Sequence, residues 1–564
     1  MPEKTFKPEP GIAGAYIDTV IDEESGLLED IRFHDIDRFN FAYDVVDRLG
    51  SEQPGRLAML HVDREGKERR FTFADMKKYS SMTANYFRYL GIKKGDRVLL
   101  VLKRHYQFWF AMLALHKIGA IAIPATFLLV KKDFEYRFKA AKISAVIATA
   151  DGKCTEEIDK AEKGYEGLKA KVLVGSRSVK GWRNFNRDIR FFSDEFKKPA
   201  NYAGGDDTML MFFTSGTTSY PKIAAQSYKY ALGHYVTARF WQQVKRDGIH
   251  FTVSDTGWAK AMWGKLYGQW LCEAAIFTYD YDEFIANEIL GMIAKYRITT
   301  FCAPPTVYRV LSHMRLEDYD LSSVSNLTTA GEALNPEVFE RIYKSTGLSI
   351  MEGFGQSESS MIVGNIKGVM PKPGSMGKPN PGYEVVLLDQ DGVPCTPGKT
   401  GELCVKVDGD TRPCGLFKGY YLDEEKTENV IYEGYYHTGD TAYVDADGYY
   451  WYVGRVDDVI KSTGYRVGPF EIENEIMKLP HVLECAVTAV PDPIRGQAIK
   501  ASVVLTDGTE GTDSLKRQMM KALRAVLASY KRPKILEFVA DLPKTSSGKI
   551  KRAEIKERDW KKDE

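Results

Sequence analysis

The sequence predicts an α/β protein: a large N-terminal domain of parallel-type sheets covered by helices, a small β subdomain, and a mobile C-terminal α+β domain. Three observations carry this. Apolar runs of strand length alternate with helix-length segments as far as Gly355; after Pro379 the texture changes to short runs with Asp-Gly turns; and the stretch from Asp457 mixes both kinds of pattern in about 110 residues. The 564 residues exceed what one ordinary core supports. The expected division is 1–456, with the β subdomain at about 380–456, and 457–564.

The elements follow in order. "DRVLLVL" reads as a strand, "HYQFWFAMLALHKIG" as a helix closed by its glycine, and "AIAIPA" as a second strand, which makes a βαβ unit. "SAVIATA", "KVLVG", "TMLMFF", "TTFCAPP", "NLTTAG" and "LSIMEGFG" are further strands of sheets buried on both faces. "LLDQDGVPC" and "YVDADGYYWYVG" read as antiparallel hairpins, and the terminal run "KIKRAEIKERDWKKDE" as a solvated helix.

The bulk composition narrows the partners. A net charge of +1 gives no general field for nucleic acid or an anionic membrane, so any anion preference must be local. No stretch approaches the length of a membrane span, and the acidic, proline-bearing N-terminus lacks a signal-peptide core. The seven cysteines are scattered, with no Cys-x-x-Cys and no Cys/His cluster of metal-ligand spacing. The expectation is a cytoplasmic protein with reduced thiols and no stable membrane insertion, a monomer or homodimer.

In polar ligand sites of parallel sheets, the chemistry lies beyond the carboxyl ends of the strands, and the polar motifs fall there. Thr214, Ser215, Gly216, Thr217, Thr218 and Ser219 follow a buried strand and lead to Lys222. Converging amides and hydroxyls with one cation suit phosphate oxygens; the alternative is an ordinary Ser/Thr loop between strand and helix. It is not a Walker A loop, because the lysine lies six residues beyond the glycine. "GEALNPEV" and "MEGFGQSES" place Glu332, Phe354, Gln356 and Glu358 on the same edge. Phe354 suits either a stacked base or the core, and Glu358 either a hydrated Mg²⁺ or a salt bridge. Asp440 and Arg455 suit a ribose, and Lys549 stands on a glycine-bearing basic loop.

Taken in order, "TSGTTSYPK", "GEALNPE", "GFGQSES", "TGD", "GRVDDVIKSTGYRVGPFEIE" and "PKTSSGK" resemble the signature set of the adenylate-forming superfamily, from about residue 40 to 552. "DTGWAKAMWGKLYGQW" and "FNFAYDVVDRL" are most similar to acetyl-CoA and medium-chain acyl-CoA synthetases. The resemblance implies ATP, Mg²⁺ and coenzyme A, a carboxylic acid activated as acyl-adenylate with loss of pyrophosphate, and transfer of the acyl group to the coenzyme A thiol. It implies that Thr214 to Thr218 and Lys222 cover the β- and γ-phosphates and that Glu358 positions the metal. Gly331, Glu332 and Ala333, with Glu352, Gly353, Phe354, Gly355, Gln356 and Ser357, would surround adenine. Asp440 and Arg455 would hold the ribose, with Arg466 near the phosphate and Lys549 at the reacting oxygens. One ammonium about 4 Å from an oxyanion is worth roughly 4 kcal/mol at an effective dielectric of 20, about a thousandfold in rate.

The same resemblance makes Asp457 a hinge, about which the last domain brings Thr463, Gly464 and Tyr465 to the pantetheine. Arg532 and Lys534, beside Lys531, would meet the coenzyme A nucleotide; a solvated charge run is the alternative. The acyl pocket would be lined by Trp258, Ala259, Met262 and Gly355. Acetate-specific relatives carry tryptophan at the position of Gly355, so a short- to medium-chain, branched or aryl acid is expected. Lys260 stands where a small or hydroxylated residue is common. Two rival readings are an enzyme that loads a carrier protein and an inactive nucleotide-binding sensor.

Overall fold

The computed structural model describes residues 4–214, 220–409, 412–462, 465–492, 496–545 and 549–560. The expected βαβ unit is present as strand Arg97–Val101, helix Gln107–Ile118 and strand Ile121–Pro124, the two strands adjacent and parallel. Every residue of that helix is buried, which explains why its sequence is apolar nearly all round. It stops because Gly119 takes a left-handed conformation (φ 80°) and returns its N–H to the Leu115 carbonyl.

Among the described residues this unit belongs to an eight-stranded sheet. Six parallel strands run from Arg183–Asn184 through Ala170–Val174, Ile143–Thr149, Arg97–Val101 and Ile121–Pro124 to Thr208–Thr214. Lys222–Ser227 and Gly419–Tyr420 then add antiparallel. A second, nine-stranded sheet has a parallel centre: Ile350–Gly355, Asn326–Ala330, Thr300–Cys302, Ile249–Thr252, Ala275–Asp280 and Leu57–Asp63. The expected strands are all there.

The β subdomain is a five-stranded antiparallel sheet containing Val385–Leu388, Gly401–Lys406, Tyr435–Val444 and Tyr450–Arg455. Its second Asp-Gly turn closes a hairpin as expected. The Asp445 carboxylate stabilises that turn by accepting the Asp447 and Tyr449 amides at 3.0 and 2.9 Å. The first Asp-Gly turn yields only an isolated bridge, Leu388 to Pro394. Proline has no N–H to extend a ladder, and Val385–Leu388 pairs instead with Gly401–Lys406.

Two elements differ from the expectation. Lys7–Pro8, Ile17–Ile21 and Leu28–Phe33 form a three-stranded sheet that the sequence reading did not foresee. The terminal helix, Arg552–Trp560, is not merely solvated: Ile555 and Asp559 are buried, Asp559 pairs with Lys500 at 2.8 Å, and Arg552 with Glu473 at 2.7 Å. The first contact fastens it to the last sheet, built from Ile460–Ser462, Tyr465–Val467, Val482–Asp492, Gly496–Leu505 and Ile535–Phe538, and the second to helix Pro469–Met477.

Candidate active site

The loop after Thr208–Thr214 leads into a strand rather than a helix. Thr214 and Lys222 face each other as the last pair of an antiparallel ladder, so the ladder's register, not a helix dipole, sets where Lys222 stands. Ser215, Gly216, Thr217 and Thr218 lie outside the described residues. The flank of the hairpin is pinned by Tyr136, whose hydroxyl donates to the Pro221 carbonyl at 2.8 Å while its ring stacks on Tyr220. The Lys222 ammonium sits 4.9 Å from the centre of the Tyr420 ring.

Tyr420 connects that lysine to Glu358. Its hydroxyl donates to Glu358 Oε1 at 2.9 Å. Burial raises the Glu358 carboxyl above the usual range, and the Tyr420 hydrogen bond, Lys222 and Arg455 oppose the rise. A buried carboxylate with cations only at longer range suits a hard divalent cation that keeps most of its ligands on phosphate. The donor set therefore fits Mg²⁺.

The two strand ends beside it carry the next motifs. Gly331, at φ 105°, turns the chain after Asn326–Ala330, leaving Glu332 and Ala333 half-buried on the rim. Glu352 lies beneath them, 4% exposed, and its carboxyl accepts the Leu334 amide. Burial pushes that carboxyl up to about 8. Gly353 is buried, and a Cβ there would lie 2.8 Å from the Trp241 indole. The half-exposed part of the motif is thus Phe354, Gly355, Gln356 and Ser357; the Phe354 ring also packs on the β-subdomain core.

Gln356 reaches across to the β subdomain. Its amide donates to the Asp440 carboxylate at 2.6 Å and to the Thr438 carbonyl at 2.9 Å, and it accepts from the Tyr436 hydroxyl at 2.5 Å. Arg455 pairs with Asp440 at 3.1 Å, and the Tyr452 hydroxyl donates to the other Asp440 oxygen at 3.2 Å. Burial raises the Asp440 carboxyl, with Arg455 pulling against it. Gly439 is required between them: at φ 71°, its Cβ would fall 2.6 Å from the Arg455 guanidinium.

Lys549 stands just before the terminal helix Arg552–Trp560. It is exposed, its amide donates to Thr545 Oγ1 at 3.1 Å, and its carbonyl accepts the Thr545 amide at 2.7 Å. Its ammonium acts on Glu332, Asp440 and Lys260 alike: burial raises the two carboxyls and lowers the Lys260 amine, while Lys549 pulls all three downward. Lys260 itself donates to the Ala330 carbonyl at 2.8 Å.

The remaining positions divide. Asp457 lies in the turn between Tyr450–Arg455 and Ile460–Ser462, 3.8 Å from Arg455, with its carbonyl accepting from Lys556 at 2.9 Å. Tyr465 and Arg466 stand on Tyr465–Val467, opposite Ser462 and Lys461; Thr463 and Gly464 lie outside the described residues. The Arg532 guanidinium donates to the Leu527 and Arg524 carbonyls at 2.9 Å each and so closes helix Asp513–Val526, because the last carbonyls of a helix lack partners. Lys531 is paired with Glu471, and Lys534 is exposed.

In the acyl segment, Trp258 and Ala259 are half-buried at the start of helix Ala259–Gly264, whereas Met262 and Trp263 are buried. The space beside Gly355 is already filled: a Cβ there would lie 2.4 Å from Trp263 Cη2. Trp263 meets Trp241 edge to face at 6.1 Å.

Comparison with known proteins decides what this assembly is. The AMP-binding enzyme family model matches residues 46–421, and that of the AMP-binding enzyme C-terminal domain matches residues 471–549. The chain belongs to the AMP-binding enzymes. Among similar family members, human acyl-coenzyme A synthetase ACSM3, mitochondrial, is 37% identical over 95% of this chain and 92% of its own. Human ACSM4, mitochondrial, is 38% identical over 93% and 91%. The anthranilate CoA ligase AuaEII, solved with anthranoyl-AMP, superimposes with a TM-score of 0.84 at 27% identity, covering 92% of this chain and 97% of its own. A benzoate CoA ligase from Burkholderia xenovorans LB400 gives 0.79 at 25%, covering 92% and 100%. The mitochondrial relatives overturn the expectation of a cytoplasmic protein. No described helix is long and apolar enough to cross a membrane.

The sequence reading missed the tyrosines of this AMP-binding enzyme's site. Tyr420, Tyr436 and Tyr452 each place a hydroxyl on Glu358, Gln356 or Asp440. For Tyr436 and Tyr452 the alternation of the β-subdomain strands is a signal that points their side chains toward the motifs, whereas Tyr420 stands on Gly419–Tyr420 at the edge of the eight-stranded sheet.

Proposed function

We propose that this chain is an ATP-dependent acyl-CoA synthetase acting on a short- to medium-chain, branched or aryl carboxylic acid. One observation carries the reading: Gln356, from a sheet edge, and Arg455, from the β subdomain, both engage the buried Asp440 carboxylate, and the charge of Lys549, more than a hundred positions later, acts on Asp440 and Glu332. The family relatives, named as acyl-coenzyme A synthetases, support the choice of coenzyme A as acceptor.

In this mechanism, a carboxylate oxygen forms a bond to the α-phosphorus as the bond to pyrophosphate breaks. Lys222 and the loop before it hold the departing phosphates. Mg²⁺, held by Glu358, would neutralise phosphate charge. Lys549 offsets the repulsion between carboxylate and phosphate, and Glu332 with Phe354 frames the base. Asp440 anchors the ribose. A carboxylate has about four lone-pair directions; Gln356, Arg455 and Tyr452 engage three of them, which leaves one for a ribose hydroxyl, and a second hydroxyl must share or displace Tyr452 or Gln356.

The second half-reaction uses a turn of the last domain about Asp457, which withdraws Lys549 and delivers the Tyr465 strand with Thr463 and Gly464. The coenzyme A sulfur then bonds to the acyl carbon, AMP leaves, and the thiol proton passes to solvent. Lys534 and the remaining N–H groups of Arg532 are available to the coenzyme A phosphates. In the acyl pocket, Trp263 takes the volume beside Gly355, so the pocket runs past Trp258 and Ala259.

The test is pyrophosphate release with ATP, Mg²⁺ and a panel of acids of graded length and branching, with coenzyme A and a holo-carrier protein offered as acceptors. Release that depends on the acid, with thioester formed on coenzyme A, is expected. Preference for the carrier would favour the carrier-loading enzyme, and no release with any acid would leave only a nucleotide sensor.

A further inference from the structure

The β subdomain holds a second cluster of chemically able side chains, outside the residues that touch the substrates. The ligand atoms of Glu402, Cys404 and His437 all lie within 4.8 Å of one another. His437 Nδ1 is 3.1 Å from Glu402 Oε2 and 3.4 Å from Cys404 Sγ. We propose that these three residues bind a zinc-class divalent cation, with water as the fourth ligand, and that the bound ion tunes nucleotide affinity through Gly439.

The two spacings from His437 are close to those of a coordination shell. Zinc bonds of about 2.3 Å to sulfur and about 2.0–2.1 Å to nitrogen and oxygen put tetrahedral ligand atoms roughly 3.2–3.6 Å apart. The scaffold fixes the donors. Cys404 and His437 are direct partners on the paired strands Gly401–Lys406 and Tyr435–Val444, with Glu402 just before Cys404 across a register shift. The His437 ring is clamped by the Tyr432 ring, stacked at 3.7 Å and 3°.

The donor chemistry selects the ion. One sulfur, one imidazole nitrogen and one carboxylate favour zinc over the hard cations that Glu358 suits. His437 and Glu402 are 10% and 23% exposed, so the approach runs over them while Cys404 closes the inner side. On binding, the Cys404 thiol gives its proton to solvent as the metal–sulfur bond forms. His437 coordinates through Nδ1 and carries its proton on Nε2, which has no hydrogen-bond partner among the described residues.

The coupling follows from the other oxygen of Glu402, which accepts the Gly439 amide at 2.9 Å. Gly439 precedes Asp440, so an ion pulling on Glu402 acts on the turn that aims the ribose carboxylate. This part of the proposal rests on the nucleotide reading above; the binding part does not.

Cobalt is the probe. Full-length protein stripped with a chelator is titrated with Co²⁺. A thiolate-to-cobalt charge-transfer band with the strong visible bands of four-coordinate cobalt is expected, bleached by one equivalent of Zn²⁺. Cys404→Ser and His437→Gln should lose the band, and Cys395→Ser should keep it. Cys404→Ser should retain acid-dependent pyrophosphate release with Mg²⁺ and no added zinc or cobalt, which verifies its fold. No band in the wild type, or a band that survives in Cys404→Ser, overturns the site. Coupling is read as AMP affinity by calorimetry, because AMP chelates zinc less than ATP does. A several-fold change with zinc in the wild type and none in Cys404→Ser is expected; equal affinity in both states overturns the coupling. Failure of AMP to bind under any condition would count against the nucleotide reading, leaving the cobalt band to decide the metal site.

Discussion

Glu352 and Glu358 are two buried carboxyls only six positions apart, both raised by burial, and they differ in what opposes the rise. Glu352 has one amide and no cation, so burial pushes it up to about 8 from an ordinary 4.5. The folded protein holds this proton and the unfolded chain releases it. The group's contribution is therefore complete below about pH 4.5 and is lost as the pH rises toward 8, at up to about 1.4 kcal/mol per pH unit. Glu352→Gln should remove that slope: urea unfolding of the variant and the wild type should diverge in the variant's favour between about pH 5 and about pH 8. Glu358, by contrast, has Tyr420, Lys222 and Arg455 acting to keep it ionised. Glu358→Gln preserves shape but removes the metal-facing charge. It should lower pyrophosphate release at saturating ATP by about a hundredfold while leaving urea stability equal or higher, since removing a buried charge lifts a desolvation cost.

At the scale of elements, helix Ala259–Gly264 meets strand Ile350–Gly355 through Trp263, and under the proposed reading this contact sets the depth of the acyl pocket. Gly355→Ala should cost about 1–3 kcal/mol in thermal or urea unfolding, because its Cβ meets Trp263 at 2.4 Å and the Ser360 carbonyl at 2.5 Å. Trp263→Leu should shift kcat/KM across the acid panel toward bulkier acids; an unchanged ranking would mean that the indole does not bound the pocket. The strands around this contact were readable because parallel strands buried on both faces are continuous apolar runs. The strand after the phosphate loop was not. "KIAAQS" carries Gln226 and Ser227 inside the sheet, where the Gln226 amide donates to the Ser357 carbonyl. A buried polar residue paid for by one long-range bond leaves no periodic trace.

Across the whole molecule, the site draws Lys222, Glu332, Gln356, Asp440 and Lys549 from four sheets or their margins. Their convergence was readable only through the resemblance of ordered motifs, since no local pattern links residues so far apart. The same reason hid Glu402, Cys404 and His437, whose meeting depends on strand register. Lys549→Ala should abolish acyl-adenylate formation while sparing thioester formation from supplied acyl-adenylate, measured as separate half-reactions. Equal loss of both would exclude the domain turn about Asp457. Arg309, on helix Pro305–Leu311, faces Glu484 of the last domain at 4.0 Å. Because this pair belongs to the orientation that presents Lys549, Arg309→Ala should slow adenylation several-fold and leave the second half-reaction unchanged.

The filled space beside Gly355 also orders how this enzyme can change over generations. A bulkier residue placed on the strand while Trp263 remains meets an occupied volume, and the protein loses fold before it gains a new preference. A smaller residue at Trp263 leaves only a hollow, which broadens the acids accepted and keeps the strand intact. Lineages that alter chain-length preference through this pair should therefore pass through the helix substitution first, with a permissive intermediate, and fix the strand second.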